Sequence, residues 1–295
     1  MPRIRERVLE VNETNYAPRL SVSRELDRRM RTYEASLDRT FPAGVPMVAR
    51  LDGRGFTRLT KKSGMFTVPF DDEFHELMVS TTMRSMDCGF QVVYGYTQSD
   101  EISLLLSPDD DTFGRRECKY VSVLAGEASA WFTDGLGITH DGLGLSGCFD
   151  CRVVPLPTLE AVEDYFTWRR NDAYRNALDT HCYWMLRGEG MSSGQATSRL
   201  KGQPTWAKRD LLASHGIDVR GLPPWQTAGV GVSWGTYEKQ GLNPVTGTTE
   251  TAQRKHLLVD DVLPMGYDYI RWVTGFLPSA ATGVSAKPAA TGVAS

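Results

Sequence analysis

The sequence lacks an apolar run long enough to span a bilayer, and its charges nearly cancel. The first absence excludes a protein anchored by membrane-spanning helices. The second excludes a basic protein that coats nucleic acid, with 33 Lys and Arg against 36 Asp and Glu and a net charge of −3. A local basic face stays allowed, because the distribution of charge matters more than its sum. The opening Met1-Pro2-Arg3-Ile4-Arg5-Glu6-Arg7 lacks the apolar core of a secretory signal, so we expect a cytoplasmic protein. Cysteine is sparse: Cys88, Cys118, Cys148, Cys151 and Cys182 do not make a disulfide framework. Cys148-Phe149-Asp150-Cys151 has zinc or redox spacing, but no second Cys pair or Cys/His pair completes it. Ordinary reduced thiols are the expectation.

What is present is an ordinary soluble composition, 41% hydrophobic and 23% charged, in a chain long enough to bury a sizeable core in one or two domains. Residues 1–20 are weakly patterned and read as a loose arm. Ser21 and Ser23 offer helix N-caps, and Leu26, Met30, Tyr33 and Leu37 follow at helical spacing. Phe41 to Pro46 breaks that helix. Met47-Val48-Ala49-Arg50-Leu51 reads as a strand ending in Asp52-Gly53. A basic connection follows to Pro69, and a helix opens with acids at Asp71, Asp72 and Glu73, where the helix dipole favours them. Residues 91–106 read as a hairpin, and a helix from about Phe113 to Phe132 carries Arg115, Arg116 and Lys119 in its first turns. A Gly-rich loop, Gly135 to Gly147, leads to a strand from Phe149 to Pro155. The pattern predicts an α+β fold with a ferredoxin-like β-α-β-β-α-β core, two helices on one face of an antiparallel sheet. We expect an arm at 1–20, a catalytic core at 21–157, a helical and β part at 158–277, and a disordered tail at 278–295. The tail repeats Ala-Ala-Thr-Gly-Val and cannot bury a core. In the second half, Leu159 to Leu186 reads as helix, Ser192 to His215 as two short helices, and Gly229–Trp234 and His256–Asp260 as strands.

Two acidic points stand out. Asp52 ends the first strand, and Asp100-Glu101 lies at the bend of the hairpin. Hard divalent cations take carboxylate oxygens, and magnesium sites combine one or two carboxylates with phosphates and water. Two such ions can stabilise the attacking and leaving oxygens of a phosphoryl transfer. Gly53 would let a backbone carbonyl approach closely. The plainer reading is that Asp-Gly and Ser-Asp-Glu are ordinary turn residues. Arg116 and Lys119, one helical step apart, fit a triphosphate or equally a solvated face. Trp168-Arg169-Arg170-Asn171-Asp172-Ala173-Tyr174-Arg175-Asn176 interleaves cations, amides and aromatics, as a helix tracking a phosphate backbone would, or as any wet helical face would.

Several stretches taken in order resemble one family, the tRNA-His guanylyltransferases and their bacterial and archaeal guanylyltransferase-like relatives. They are Arg50-Leu51-Asp52-Gly53-Arg54-Gly55-Phe56, Thr97-Gln98-Ser99-Asp100-Glu101-Ile102-Ser103, Phe149-Asp150-Cys151-Arg152-Val153 and the Trp168–Asn176 stretch. Arg199-Leu200-Lys201-Gly202 with Lys208, then Gly229-Val230-Gly231-Val232 through Asn243-Pro244-Val245-Thr246-Gly247 to Leu263-Pro264-Met265-Gly266, continue the order. The forms are closer to the guanylyltransferase-like branch.

That resemblance implies a polymerase-like palm extending tRNA in the 3′-to-5′ direction, for 5′-end repair or tRNA-His guanylylation. ATP or GTP first activates the 5′ end, and the 3′-hydroxyl of an incoming nucleoside triphosphate then attacks. It implies two Mg2+ ions, ATP and GTP or other nucleoside triphosphates as substrates, tRNA as partner, a homotetramer, and no membrane. Carried over by position, Asp52, Asp100 and Glu101 would be catalytic, with metal ligands Asp52, Gly53 and Asp100. Nucleotide contacts would come from Arg50, Gly53, Arg54, Gly55, Phe56, Ser99, Asp100, Arg116 and Lys119. Arg169, Arg175, Asn176 and Lys208 would meet tRNA. The chain departs from the family at Val68, where a nucleotide-binding Lys precedes the Pro-Asn/Phe-Asp signature, and Lys61 or Lys62 would have to substitute. Thr57 and Tyr174 replace two His of the eukaryotic members, which fits the repair branch. Two other classes share parts of this pattern: a palm-type nucleotide cyclase or second-messenger synthase, and a catalytically altered RNA-binding homologue.

Overall fold

The computed structural model describes residues 24–62, 65–139, 146–242 and 247–278. The expected arm, both serine caps, Asn243–Thr246 and all of the expected tail except Pro278 lie outside the described residues. The chain divides into two units after Arg39. Among the described residues the first contributes one helix, α1 (Arg24–Ala35), which buries no residue. The rest of the fold belongs to the second unit. No described helix is long and apolar enough to cross a membrane.

The second unit is built on a six-stranded antiparallel sheet of β1 (Met47–Gly53), β2 (Val92–Gln98), β3 (Glu101–Leu106), β4 (Phe149–Pro155), β5 (Val230–Leu242) and β6 (Thr249–Asp260), in the order β4-β1-β3-β2-β5-β6. Helices α2 (Phe56–Lys62) and α3 (Asp72–Met86) connect β1 to β2, and α4 (Glu117–Thr139) connects β3 to β4. This is the β-α-β-β-α-β order that the sequence predicts. Alternation along the strands sorts the side chains. Met47, Ala49, Leu51, Ile102, Leu104 and Leu106 pack on one face with Met78 of α3 and Leu124 and Phe132 of α4. Val48, Tyr94, Tyr96 and Leu105 pack on the other with Val162 and Phe166 of α5 (Leu159–Gly188) and Tyr269 of α9 (Gly266–Thr274). A satellite cluster joins the far part of α5 to α6 (Ser193–Leu200) and α7 (Thr205–Ser214).

Local chemistry sets the element ends. Asp71 caps α3 by accepting the Phe74 N–H at 2.8 Å. Ser192 and Gln195 form a reciprocal capping box on α6. Three expectations are corrected. The basic connection after Gly53 contains the short helix α2. Helix α4 runs on through Gly135 and Gly137, because Gly135 lies against Leu77 at a distance that leaves no room for a side chain. Arg115 is not on a helix face: a short 3-10 turn (Thr112–Arg115) precedes α4, and the buried Arg115 guanidinium donates to the carbonyls of Val45, Pro108 and Asp110. Strands β5 and β6 are also longer than the sequence predicts. Beyond Gly235 and His256 they project as a two-stranded ribbon that is exposed on both faces.

The longest helix is tied to the central strand by a buried ion pair. Arg169 of α5, only 2% exposed, donates from Nη1 to both carboxylate oxygens of Glu101 at 2.6 and 2.9 Å. One turn earlier, Tyr165 meets Ser103 at 3.1 Å. Removing one partner of a buried pair strands the other charge. We therefore expect Arg169→Met to destabilise the fold by about 3 kcal/mol, the low end for such pairs because Arg50 still faces Glu101. The urea midpoint measures it, and Arg169→Met combined with Glu101→Leu should recover a large part of the loss.

Candidate active site

The sheet register builds the site as a ladder on the face toward α5. The row at the strand ends is Gln98, Glu101, Asp52 and Asp150 across β2, β3, β1 and β4. The next row is Tyr96, Ser103, Arg50 and Arg152, and the third is Tyr94, Leu105, Val48 and Val154. The sheet thus presents an acidic edge backed by a basic row and then by the apolar core. The β2–β3 turn closes against β1: the Gly53 N–H donates to the Asp100 carbonyl at 2.9 Å. Ser99 takes φ +51 in that turn, and its hydroxyl donates to the Asp100 carboxylate at 3.1 Å.

The three acids do not share one environment. Glu101 is buried, and its oxygens are taken by Arg169 and by Arg50 Nη2 at 2.6 Å. Arg50 also reaches Asp52 at 3.3 Å. Asp52 and Asp100 keep oxygens directed to neither arginine at closer range. Burial pushes the Asp100 carboxyl above the usual carboxylate range, and the charges of Asp52 and Glu101 push the same way. Hydrogen bonds from its own backbone N–H and from Ser99 offset only part of this. Asp52 and Asp100 thus lie at one edge, Asp52 with a single longer contact to Arg50 and Asp100 with no ion pair among the described residues, while Glu101 holds Arg50 and α5.

The donor set fits magnesium. It consists of hard carboxylate oxygens on the end of β1 and in the adjacent β2–β3 turn, beside Gly53, where a Cβ would meet the Phe56 ring at 2.7 Å. Among the described residues no group of three or more Asp, Glu, His or Cys side chains is arranged to hold a metal ion. A cation here would have few protein ligands, as magnesium does when it retains water and takes substrate phosphates.

On the β2 side of the acids lies a cavity of about 160 Å³, lined among others by Phe70, His75, Gln98, Asp100, Asn176 and Trp225. That is below the span of pockets that enclose whole drug-sized ligands, roughly 300–1,000 Å³. It suits one ring system, with anything larger extending out toward Asp100. Trp225 sits on the short helix α8 (Pro224–Ala228) and stacks on His75 with centroids 4.0 Å apart and planes at 14°. Phe70 meets Trp225 edge-on at 5.7 Å and His181 at 5.1 Å. Burial holds both histidines below the ordinary imidazole range, although the acids around His75 and the Gln226 bond to His181 work against it. The wall is thus aromatic and uncharged at neutral pH. Trp184, also in the lining, carries a buried indole N–H with no hydrogen-bond partner among the described residues. Asp71 at the rim is spent: burial opposes its charge, but bonds from Phe74 and Thr67 outweigh that and hold it below the usual range.

The remaining expected site residues scatter. Arg54 is exposed, with its N–H bonded to the Cys148 carbonyl, and Gly55 turns at φ +75 into α2. Phe56 is core, packed on Phe132 at 4.8 Å and Phe149 at 5.0 Å, with one edge at the cavity. Arg116 and Lys119 follow the Leu106 end of β3, which pairs with Met47, the opposite end of β1 from Asp52. Arg116 bonds the Phe113 carbonyl, and Lys119 lies 5.7 Å from the Phe113 ring. Arg169 is withdrawn from an RNA-facing role by its burial. Lys208 pairs with Asp179 and is mostly covered. Arg175 is exposed and pairs with Asp172, while Asn176 faces the cavity. Val68 lines the cavity where the family lysine would stand. The side chains of Lys61 and Lys62 lie outside the described ones. Sequence reading missed Phe70, His75 and Trp225, which come from distant segments. The local signals were the Pro69-Phe70-Asp71 signature for Phe70 and the Pro223-Pro224 helix start before Trp225.

Comparison with known proteins bears on this geometry. The family described as tRNAHis guanylyltransferase matches residues 27–157, and its C-terminal domain matches residues 160–261. The tRNA(His) guanylyltransferase of Schizosaccharomyces pombe is 34% identical over 181 residues, covering 60% of this chain and 68% of that protein. tRNA(His) guanylyltransferase 2 of Arabidopsis thaliana is 31% identical over 180 residues, 60% of this chain. The chain spans only about a third of the length of the two Arabidopsis relatives, 33% and 32%. Among solved structures, a bacterial tRNA(His) guanylyltransferase-like protein in complex with ATP superposes with a TM-score of 0.65 at 25% identity, over 85% of this chain and 98% of that one. With both family segments matched in order along the sheet that carries the acidic edge, the chain belongs to the tRNAHis guanylyltransferase family.

Proposed function

We propose that this protein is a nucleotidyltransferase that adds nucleotides to tRNA 5′ ends in the 3′-to-5′ direction, after ATP- or GTP-dependent activation of a 5′-monophosphate. The observation that carries the reading is the pairing of Asp52 with Asp100, locked by the Gly53 to Asp100 backbone bond, beside an aromatic cavity. The core is read as a polymerase-type palm. The membership of the family and the ATP found in a relative's structure support the choice of substrates.

The residues divide the work. The Phe70, His75 and Trp225 wall takes a nucleobase by stacking, and Gln98, Asn176 and the Trp184 N–H supply polar edges. The triphosphate then points out toward Asp100 and Asp52. Magnesium bound there would neutralise the phosphates and the developing charge on the reacting oxygens. Arg50, held by Glu101, lies beside Asp52 and places a fixed positive charge next to the reacting phosphate. In the first step the RNA 5′-phosphate oxygen bonds to the α-phosphorus of ATP or GTP, and pyrophosphate leaves. In the second the 3′-hydroxyl oxygen of a nucleoside triphosphate bonds to the 5′-phosphorus of the activated RNA, and the nucleoside monophosphate leaves. Template-dependent repair of 5′-truncated tRNA is the branch favoured by Thr57 and Tyr174.

Two outcomes are expected. Asp52→Asn and Asp100→Asn should each lower extension of a 5′-truncated tRNA by at least a hundredfold while the thermal melting curve stays near that of the wild type. Unchanged extension by either variant rejects the assignment. Because Val68 replaces the family lysine at the cavity, 5′-triphosphorylated tRNA, which needs no activation, should be extended at least tenfold faster than the monophosphate. Restoring the lysine by Val68→Lys should narrow that gap, as read by sequencing the 5′ ends over time.

A further inference from the structure

Two residues that neighbour Arg50 are left unused by this reading, Arg152 on β4 and Trp168 on α5. Arg152 stands directly across from Arg50 in the basic row, which sets two guanidinium-bearing residues side by side on the sheet. Arg50 is committed to Glu101 and Asp52, whereas Arg152 is exposed and has no ion pair among the described residues. Trp168, on α5, is 48% exposed, a large apolar ring left in water beside this row. The Arg169 guanidinium lies 3.6 Å from its ring centre and that of Arg50 5.8 Å. Tyr165 abuts it edge-on at 5.9 Å. The indole is thus fixed by buried neighbours, and the rest of it is free to receive a partner.

We propose that Trp168 and Arg152 form the docking platform for the 5′-terminal nucleotide of the RNA, base against indole and phosphate against guanidinium. The proposal rests on the nucleotidyl-transfer reading and deepens it by giving the second substrate its own flank. Gln98 and Asp100 line the cavity at the β2–β3 turn, and Arg152 lies on β4, so Asp52 on β1 stands between the two in the strand order. In-line transfer needs the attacking and leaving groups on opposite sides of the phosphorus, and two flanks supply that approach. Charge selects the occupant: a cation beside an open indole suits a nucleotide, whose base has a π-face and whose phosphate is an anion.

The test uses a 5′-monophosphorylated RNA hairpin with a 3′ fluorophore, measured by equilibrium anisotropy and by extension kinetics. Trp168→Ala should weaken hairpin binding and raise the RNA KM about tenfold, the scale of one lost base–aromatic stack, with the KM for nucleoside triphosphate unchanged. Trp168→Phe should restore most of the affinity, which a general folding defect would not allow. Arg152→Gln should weaken binding and reduce the slope of log affinity against log salt by about one. Unchanged hairpin binding by Trp168→Ala overturns the platform. So does an equal loss for a hairpin shortened by its 5′ nucleotide, or a change in oligomeric state without a change in RNA affinity, which would mark a protein interface. A wild type that binds the hairpin but extends nothing rejects the transfer reading, and the binding comparison then decides the platform by itself. A wild type that does not bind the hairpin rejects the platform directly.

Discussion

The site depends on one carboxylate whose charge is spent inside the protein. Glu101 lies buried between Arg50 and Arg169, and the two guanidiniums more than balance it. Without them the strand ends and the β2–β3 turn would carry Asp52, Asp100, Glu101 and Asp150 with no cation set among them. At an effective dielectric of 20, two like charges 4 Å apart repel by about 4 kcal/mol. With them, Glu101 becomes an anchor, Arg50 is set beside Asp52, and α5 is fixed over the sheet. Asp52 and Asp100 are then the acids left facing outward, and the charge of Asp100 remains costly because that corner is partly desolvated.

The same pair explains why the two segments recognised by the family comparison do not act as independent pieces. One ends where β4 ends and the other begins with α5. Glu101 belongs to the first and Arg169 to the second. The cavity is shared as well: Phe70, His75 and Gln98 come from the first, and Asn176, Trp184 and Trp225 from the second. Arrangement of the site and stability of the junction are one and the same energetic fact.

The acids and the sheet were legible in the sequence because each has a local signature. Strand alternation stops at Asp52-Gly53, and the hairpin must turn at Ser99-Asp100, so two acids fall at strand ends once the strands pair. The Asp71 cap and the α3 periodicity are equally local. Arg169 was misread as an RNA contact because helical spacing shows which residues share a face but not which face meets the sheet. Arg116 and Lys119 looked close to the acids in sequence, yet β3 carries the chain a full strand length away before α4 begins. The aromatic wall was invisible for a different reason: its rings are brought together only by tertiary packing of α3, α5 and α8. The continuation of α4 through Gly135 follows the same rule, since the fit against Leu77 outweighs the poor helix propensity of glycine.

The β5–β6 ribbon sets a gradient of stability across the molecule. At its root Val230 to Ser233 pairs with β2 and Val232 joins the core, while from Thr236 outward the two strands pair with each other and their residues up to Lys255 are exposed. Two strands alone are marginal in water. Backbone amides near the root are therefore released to solvent hydrogen exchange only with the core, whereas those toward Leu242 and Thr249 exchange by local opening at far lower free energy. One continuous pair of strands thus joins amides locked into the core to amides that open locally.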